Sequence, residues 1–190
     1  MHFCNKITSQ NQTPTRSVLA SKTNFATEPP WTLYGLDLEA ALAVYKDGHR
    51  NASAGELLAA VSTDWFYRIP AIRLAEAHLS HRQGSTYLYE FGWCPPTFDG
   101  RIGACHFSEV AFAFNTIQNP LMTRMLGPNP PQAVADAMHA AWIAFATTGD
   151  LGPDWPRYNL KDRSTMHFST VCELREDPRA AERQIWDGRR

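Results

Sequence analysis

The sequence predicts an α/β fold, in which helices alternate with the strands of one sheet. Residues 65–81 carry apolar side chains at helical spacing, and Tyr87–Trp93 is an aromatic and apolar run typical of a mostly buried strand. Residues 131–149 form the clearest helical pattern in the chain. The order of helix, strand and histidine-bearing loop makes one αβ unit.

The composition is that of an ordinary globular chain, large enough for one domain. Of 190 residues, 44% are hydrophobic and 19% are charged, with a net charge of −1. Because Lys and Arg do not cluster, we expect neither nucleic acid nor an anionic membrane as a partner. No apolar run has the length of a membrane span, and residues 1–15 lack the apolar centre of a signal peptide. We therefore expect a cytoplasmic protein.

The first 30 residues differ in character from the rest. Polar Thr, Ser, Asn and Gln are scattered without an apolar period, and the stretch ends in Pro29-Pro30. This pattern predicts an irregular, disordered leader, with an irregular cap packed on the domain as the alternative. Residues 31–190 form the predicted domain.

Two short helices open the domain. The apolar spacing over Asp37–Lys46 predicts a helix that ends near Gly48. Ser53 is a candidate N-cap for a helix over Ala54–Val61, and Glu56 stands three residues later, where it completes a capping box. We expect both helices to pack on the core.

A longer helix and the central strand follow. Asp64 can cap a helix over Trp65–His81, which starts or kinks at Pro70. The strand Tyr87–Trp93 ends at Cys94-Pro95-Pro96, because proline cannot extend a hydrogen-bonded ladder.

A loop after this strand presents His106. Turn-forming residues occur at Asp99-Gly100 and Gly103, and the chain is predicted to return to apolar surroundings through Phe112 and Phe114. A loop beyond a buried strand is where α/β enzymes place a catalytic base. The alternative, which is the more frequent one for a loop histidine, is a solvated or structural role.

The rest of the chain is predicted to contain a loop, a helix, a short strand and a final helix. Asn115–Asn129 reads as a loop, and the helix over residues 131–149 follows it. Thr165–Phe168 is a short strand candidate on which His167 is expected to face solvent. Pro178–Trp186 is predicted to close the chain as a helix.

No metal or cofactor site is predicted. The cysteines match no zinc pattern and are expected to be reduced thiols: Cys4, Cys94, Cys105 and Cys172. No HxH, HxxxH or HExxH pattern is present. A nucleophilic pair of Cys105 with His106 is disfavoured, because adjacent residues on an extended loop point in different directions.

The stretch Gly103–Phe114 resembles the histidine motif of type-B carboxylesterases, the α/β-hydrolase family that includes para-nitrobenzyl esterases and cholinesterases. The motif reads Gly-Ala-x-His, with Glu three residues on and then an apolar run, in which Ala111 stands where the family usually has Pro. The resemblance implies that His106 is the triad histidine. It also implies that Glu109 occupies a second acidic position, which we interpret as structural.

Further stretches resemble the same family in the same order. They are Thr63–Ala71, Ala140–Asp150 and the Trp-Pro-x-Tyr turn Trp155–Tyr158. Two or more motifs at the right separation are far more specific than one. The resemblance implies the C-terminal part of an α/β-hydrolase fold, with the last strands of the sheet, their packing helices and an incomplete sheet.

The other parts of a serine esterase are not found in this sequence. No stretch fits the Gly-x-Ser-x-Gly nucleophile elbow, and no His-Gly-Gly-Gly-like oxyanion loop is present. Glu28 has only a partial resemblance to the segment that bears the family's acid, and its spacing to His106 is short, so the triad acid stays unassigned. Because triad residues act as a unit, little or no esterase activity is expected of the chain alone.

Two hypotheses follow. In the first, the chain is the C-terminal segment of a serine carboxylesterase, which would hydrolyse a small-molecule carboxylic ester once it associates with the missing N-terminal portion. In the second, it is a non-catalytic hydrolase remnant or a partner-binding protein. Both predict exposed apolar faces on Val134–Phe145 and Tyr87–Trp93, where sheet strands are lacking.

Overall fold

The computed structural model describes residues 35–81 and 84–189. The predicted leader, residues 1–30, lies outside the described residues, and so does Glu28. The elements in chain order are α1 (Leu38–Gly48), α2 (Ala54–Thr63), a π-helical turn (Asp64–Arg68), α3 (Ile69–Ser80), β1 (Leu88–Phe91), a 3₁₀ turn (Thr97–Gly100), α4 (Val110–Ala113), α5 (Pro120–Leu126), α6 (Gln132–Thr148), β2 (Thr165–Phe168), β3 (Glu173–Arg175) and α7 (Ala180–Gln184).

The sheet has the strand order β1-β2-β3. β1 and β2 run parallel, with Leu88 opposite Thr165 and Phe91 opposite Phe168, whereas β2 and β3 are antiparallel. The N–H of Gly92 extends the parallel ladder by donating to the Phe168 carbonyl at 2.8 Å. Both predicted strands are therefore present, and their parallel pairing is that of an α/β unit.

The caps that the sequence predicts for the first helices are present. The Asp37 carboxylate accepts from the N–H of Ala40 at the start of α1. At the start of α2, Ser53 and Glu56 form a reciprocal capping box, in which the Glu56 carboxylate accepts from the Ser53 N–H at 2.7 Å. These interactions are local in sequence, which is why the pattern predicted them.

The long helix differs from its prediction at Asp64. The chain continues from α2 through the π-helical turn into α3 without a break, so Asp64 caps nothing. Its own N–H is already satisfied by the Ala60 and Val61 carbonyls, and its carboxylate turns inward, where it is 1% exposed. The widened turn comes just before Pro70, whose ring would clash with the Phe66 carbonyl in a regular helix.

Two apolar clusters form the core. One lies between the sheet, α4, α5 and α6, with Phe112, Leu126 and Met138 fully buried. The other joins α1, α2 and α3 to the chain terminus through Tyr45, Val61 and Trp186. No helix within residues 35–81 and 84–189 combines the length and apolarity needed to cross a bilayer.

Two predictions for residues 114–129 were wrong. Phe114 lies at the surface, although the sequence predicts a return to apolar surroundings, because the turn that ends α4 carries its ring past the core. The predicted loop Asn115–Asn129 contains helix α5, which Asn119 caps by accepting from the Leu121 N–H. Its apolar residue Leu126 packs in the core.

A buried chain of hydrogen bonds ties the termini of the described region together. The Trp186 indole N–H donates to the Tyr45 hydroxyl at 3.0 Å, and that hydroxyl donates to the Asp64 carboxylate at 2.8 Å. The same carboxylate oxygen accepts from Arg68 at 2.8 Å. A second guanidinium nitrogen of Arg68 donates to the carbonyls of Pro178 and Arg179, both at 2.9 Å.

We predict that Asp64→Ala destabilises the chain by about 3 kcal/mol, because it leaves the buried Arg68 guanidinium without its counter-charge. The measurement is the urea unfolding midpoint followed by circular dichroism. Asp47→Ala is the matched control, since Asp47 pairs with Arg50 at a site where both side chains are 81% exposed. Equal effects of the two substitutions would contradict a structural role for the buried pair.

We also predict that stability falls as the pH rises above about 10, the ordinary pKa of tyrosine. Burial, and then the neighbouring Asp64 carboxylate, raise the pKa of Tyr45 far above that value. The folded chain therefore keeps a proton that the unfolded chain loses, so this stability is complete below pH 10 and declines above it. Urea unfolding between pH 8 and 11 should give a shallower decline for Tyr45→Phe than for the unaltered chain, and identical slopes would contradict this assignment.

Candidate active site

The loop between β1 and α4 is held at its base by buried residues. Phe91 and Trp93 end the strand in the core, and Pro95 is fully buried immediately after them. The following 3₁₀ turn is fixed by the Thr97 hydroxyl, which donates to the Met125 carbonyl at 2.7 Å. These contacts anchor the segment 101–109, here called the His106 loop.

Within the His106 loop, a tight turn around Ser108 carries His106 to the surface. The Ser108 hydroxyl is fully buried and donates to the Cys105 carbonyl at 2.6 Å. Phe107 adopts a positive φ of 77°, which reverses the chain above this anchor. Ala104 lies buried below the turn, while His106 and Phe107 are exposed. The loop thus presents an imidazole above a rigid base, which is what a catalytic base requires.

The His106 ring lies against Tyr67 of the π-helical turn. The two ring centroids are 4.8 Å apart, and the ring planes differ by 28°. Among the described residues, no carboxylate lies within 4 Å of a His106 ring nitrogen. The described part of the chain therefore holds a base without an acid that orients it.

His106 lines an open cavity of about 490 Å³. Five consecutive residues, Tyr87–Phe91, also line this cavity. Thr165 of β2, which lies opposite Leu88, lines it as well, so the cavity extends beside both parallel strands. The helical side of the cavity is formed by Phe66, Tyr67, Arg68, Ala71 and Ile72.

Arginines also line the cavity, and each has a carboxylate partner. Arg183 binds Asp177 through two bonds of 2.9 Å, and Arg179 donates to Glu90 at 2.9 Å. Arg163 pairs with Glu76. A molecule in the cavity would therefore meet arginines that are already paired with carboxylates.

Glu109, the last residue of the His106 loop, lines the cavity together with Tyr89 and is partly buried. Burial, and secondly the Glu109 carboxylate, raise the pKa of the Tyr89 hydroxyl.

His167 is buried, so the prediction that it faces solvent was wrong. It is 4% exposed, and its Nδ1 lies 3.0 Å from the Glu90 carboxylate on the parallel neighbouring strand. Register explains this contact, since Glu90 and His167 are directly opposite each other. Glu90 also accepts from Arg175 and Arg179. The sequence held one signal for this site, the glycine at position 92 within an otherwise bulky strand.

No group of three or more His, Cys, Asp or Glu side chains within residues 35–81 and 84–189 has the geometry to hold a metal ion. The three described cysteines, Cys94, Cys105 and Cys172, form no disulfide with one another. Of the residues that line the cavity, sequence reasoning identified His106 and missed Tyr67, whose contact with His106 joins parts of the chain about 40 residues apart.

We predict that Gly92→Ala destabilises the chain by about 1–3 kcal/mol. A Cβ at this position would lie 2.7 Å from Nε2 of His167 and overlap its ring, which forces the imidazole away from Glu90. Gly55→Ala in α2 is the matched control, because its Cβ would meet nothing closer than 4.0 Å and alanine favours a helix. Thermal unfolding should show a loss for the first variant and no loss for the second, and the reverse order would contradict the packing of His167.

Comparisons with known proteins give one consistent family. A family model described as "Carboxylesterase family" matches residues 6–186. A para-nitrobenzyl esterase from Bacillus subtilis (strain 168) is 29% identical over 130 residues, which is 64% of this chain and 25% of that protein. A phenmedipham hydrolase from Pseudarthrobacter oxydans is 29% identical over 118 residues, covering 58% of this chain and 23% of that protein. The chain thus spans about a quarter of the length of these relatives.

Solved structures give the same fold. A carboxylesterase from Geobacillus stearothermophilus at pH 6.2 superposes with a TM-score of 0.67 and 26% identity, over 80% of this chain and 32% of that one. A PNB esterase superposes with a TM-score of 0.60 and 24% identity, over 70% and 27% of the respective chains, which supports the fold alone. The helices and the small open sheet are therefore part of an α/β-hydrolase fold, as the sequence predicted.

Proposed function

Since this chain belongs to the carboxylesterase family, we propose that it is the histidine-bearing segment of a serine carboxylesterase. His106 acts in it as general base and then general acid toward a serine that this sequence does not supply. The observation that carries the proposal is the exposed imidazole of His106, held on a rigid turn where it lines the cavity.

The His106 loop supports this role in two ways. Its anchor, the buried Ser108, lies two residues from His106, so the position of the turn depends on contacts inside the chain. The exposed imidazole leaves room for two partners, as a triad histidine needs one on each ring nitrogen. His167 differs in this respect, because it is buried and paired with Glu90.

The chain by itself should hydrolyse esters slowly or not at all. It contains no Gly-x-Ser-x-Gly elbow, so His106 has no serine of that type to deprotonate. Removing one member of a triad removes most of the rate, because the members act as a unit. The activity therefore belongs to an assembly rather than to this chain.

The free edge of β1 supports association with a chain that carries further strands. β1 has one neighbour among the described strands, β2, and parallel strands are ordinarily covered on both faces and extended at the edge. Apolar side chains on α6 are also half exposed, namely Trp142, Ile143 and Phe145. We propose that the missing N-terminal portion of an esterase adds a strand beside β1 and completes the cavity.

The substrate class that follows is a small-molecule carboxylic ester, bound once the cavity is completed. The helical wall near His106 contributes apolar and aromatic side chains, Phe66, Ala71 and Ile72. The arginines that line the cavity are already paired with carboxylates, which gives no reason to expect an anionic substrate.

The test is turnover of para-nitrophenyl acetate by the chain alone, and by the chain co-expressed with the upstream region of a related para-nitrobenzyl esterase. We expect no turnover alone and clear turnover in the co-expressed pair. His106→Ala should abolish that turnover, with a loss of about 10³-fold or more. His81→Ala is the matched control, since His81 is an exposed histidine at the end of α3, outside the cavity.

The other outcomes are equally informative. A folded, co-purifying pair without turnover would favour a hydrolase remnant that has lost its chemistry. Turnover by the chain alone that disappears in His106→Ala would mean that the sequence contains an unrecognised nucleophile, and the segment proposal would be wrong.

A further inference from the structure

The aromatic ring of Tyr67 covers one face of the His106 imidazole. The centroids are 4.8 Å apart and the planes are within 28° of parallel, which is an offset stack rather than an edge contact. We propose that Tyr67 is a positioning residue that fixes the plane of the His106 ring. Its consequence for catalysis rests on the proposed function, whereas the stack itself does not.

The π-helical turn gives Tyr67 a fixed backbone. Asp64 opens the turn and Arg68 closes it, and the two side chains bond to each other at 2.8 Å. The Asp64 end is held by Tyr45, and the Arg68 end is held by the carbonyls of Pro178 and Arg179. Tyr67 therefore projects from a segment that is anchored on both sides, although its own ring is 47% exposed.

A stack suits the chemistry of a triad histidine better than a hydrogen bond from within the chain. The two ring nitrogens lie at the edge of the imidazole, and a triad uses both of them at once, one toward the acid and one toward the serine. A ring packed on the face restrains rotation of the side chain and leaves both nitrogens free. His106 also has no carboxylate partner among the described residues, so Tyr67 supplies the restraint that the structure shows.

The role belongs to the ring and not to the hydroxyl. The two rings stack on each other, so phenylalanine at position 67 should preserve the contact and leucine should remove it. Phe66 provides a matched control, because it is an exposed aromatic residue of the same turn. Its ring centroid lies 6.3 Å from that of Tyr67.

The experiment is nuclear magnetic resonance of the His106 ring protons in the chain alone, assigned by their disappearance in His106→Gln. A tyrosine ring on the imidazole face shifts those protons upfield of their random-coil positions. We expect the upfield shift in the unaltered chain, in Tyr67→Phe and in Phe66→Leu, and its loss in Tyr67→Leu. An unchanged shift in Tyr67→Leu, or its loss in Tyr67→Phe, would overturn the stack.

A second measurement uses the co-expressed pair described above. Tyr67→Leu should lower kcat about tenfold or more with KM unchanged, because the base is misoriented while binding is intact. Tyr67→Phe should restore kcat. If Tyr67→Leu loses the ring-current shift but keeps full kcat in an active pair, the positioning role is wrong. If the pair is never active, the proposed function fails while the resonance measurement still decides the stack.

Discussion

The buried carboxylate of Asp64 is the interaction on which the arrangement of the described chain depends. One oxygen accepts from Tyr45 on α1 and from Arg68, four residues along the same helix. Arg68 in turn holds the carbonyls of Pro178 and Arg179, so a single charge pair connects the first helix, the long helix and the last one. A buried pair of this kind adds little net free energy, but it forbids alternatives that would leave either charge unpaired. The pair therefore fixes the relative positions of the helices that it connects.

The buried pair also positions part of the candidate site, because Asp64 and Arg68 are the two ends of the π-helical turn. Pro70 makes a regular helix costly at this point, and the widened turn accommodates it with Asp64 and Arg68 at its two ends. Tyr67 lies between them and meets His106, whose loop is anchored separately by Ser108. Two independently supported segments thus meet at one aromatic contact. π-Helical turns are frequent at functional sites, and here the turn carries the residue that faces the histidine.

The sequence predicted the features that depend on neighbours in the chain. The capping box of Ser53, the end of α6 at Gly149 and the presentation of His106 all follow from local patterns. It could not predict the burial of His167, because that depends on Glu90 being opposite it in a parallel pair and on the space left by Gly92. Nor could helical periodicity predict the inward turn of Asp64, since a π-helical turn shifts the helical faces. The contact between Tyr67 and His106 likewise cannot be predicted from a local pattern, because the two residues are far apart in the sequence.

The two histidines differ in burial and in pairing. His167 has a carboxylate partner at 3.0 Å and almost no exposure, so its ring nitrogens are committed to the fold. His106 is exposed, is restrained on one face, and leaves both nitrogens available. A base that must transfer a proton between a serine and a leaving group has to be oriented but not saturated with hydrogen bonds. Under the proposed function, contacts within the chain orient His106, and reactivity depends on a serine that this sequence does not supply.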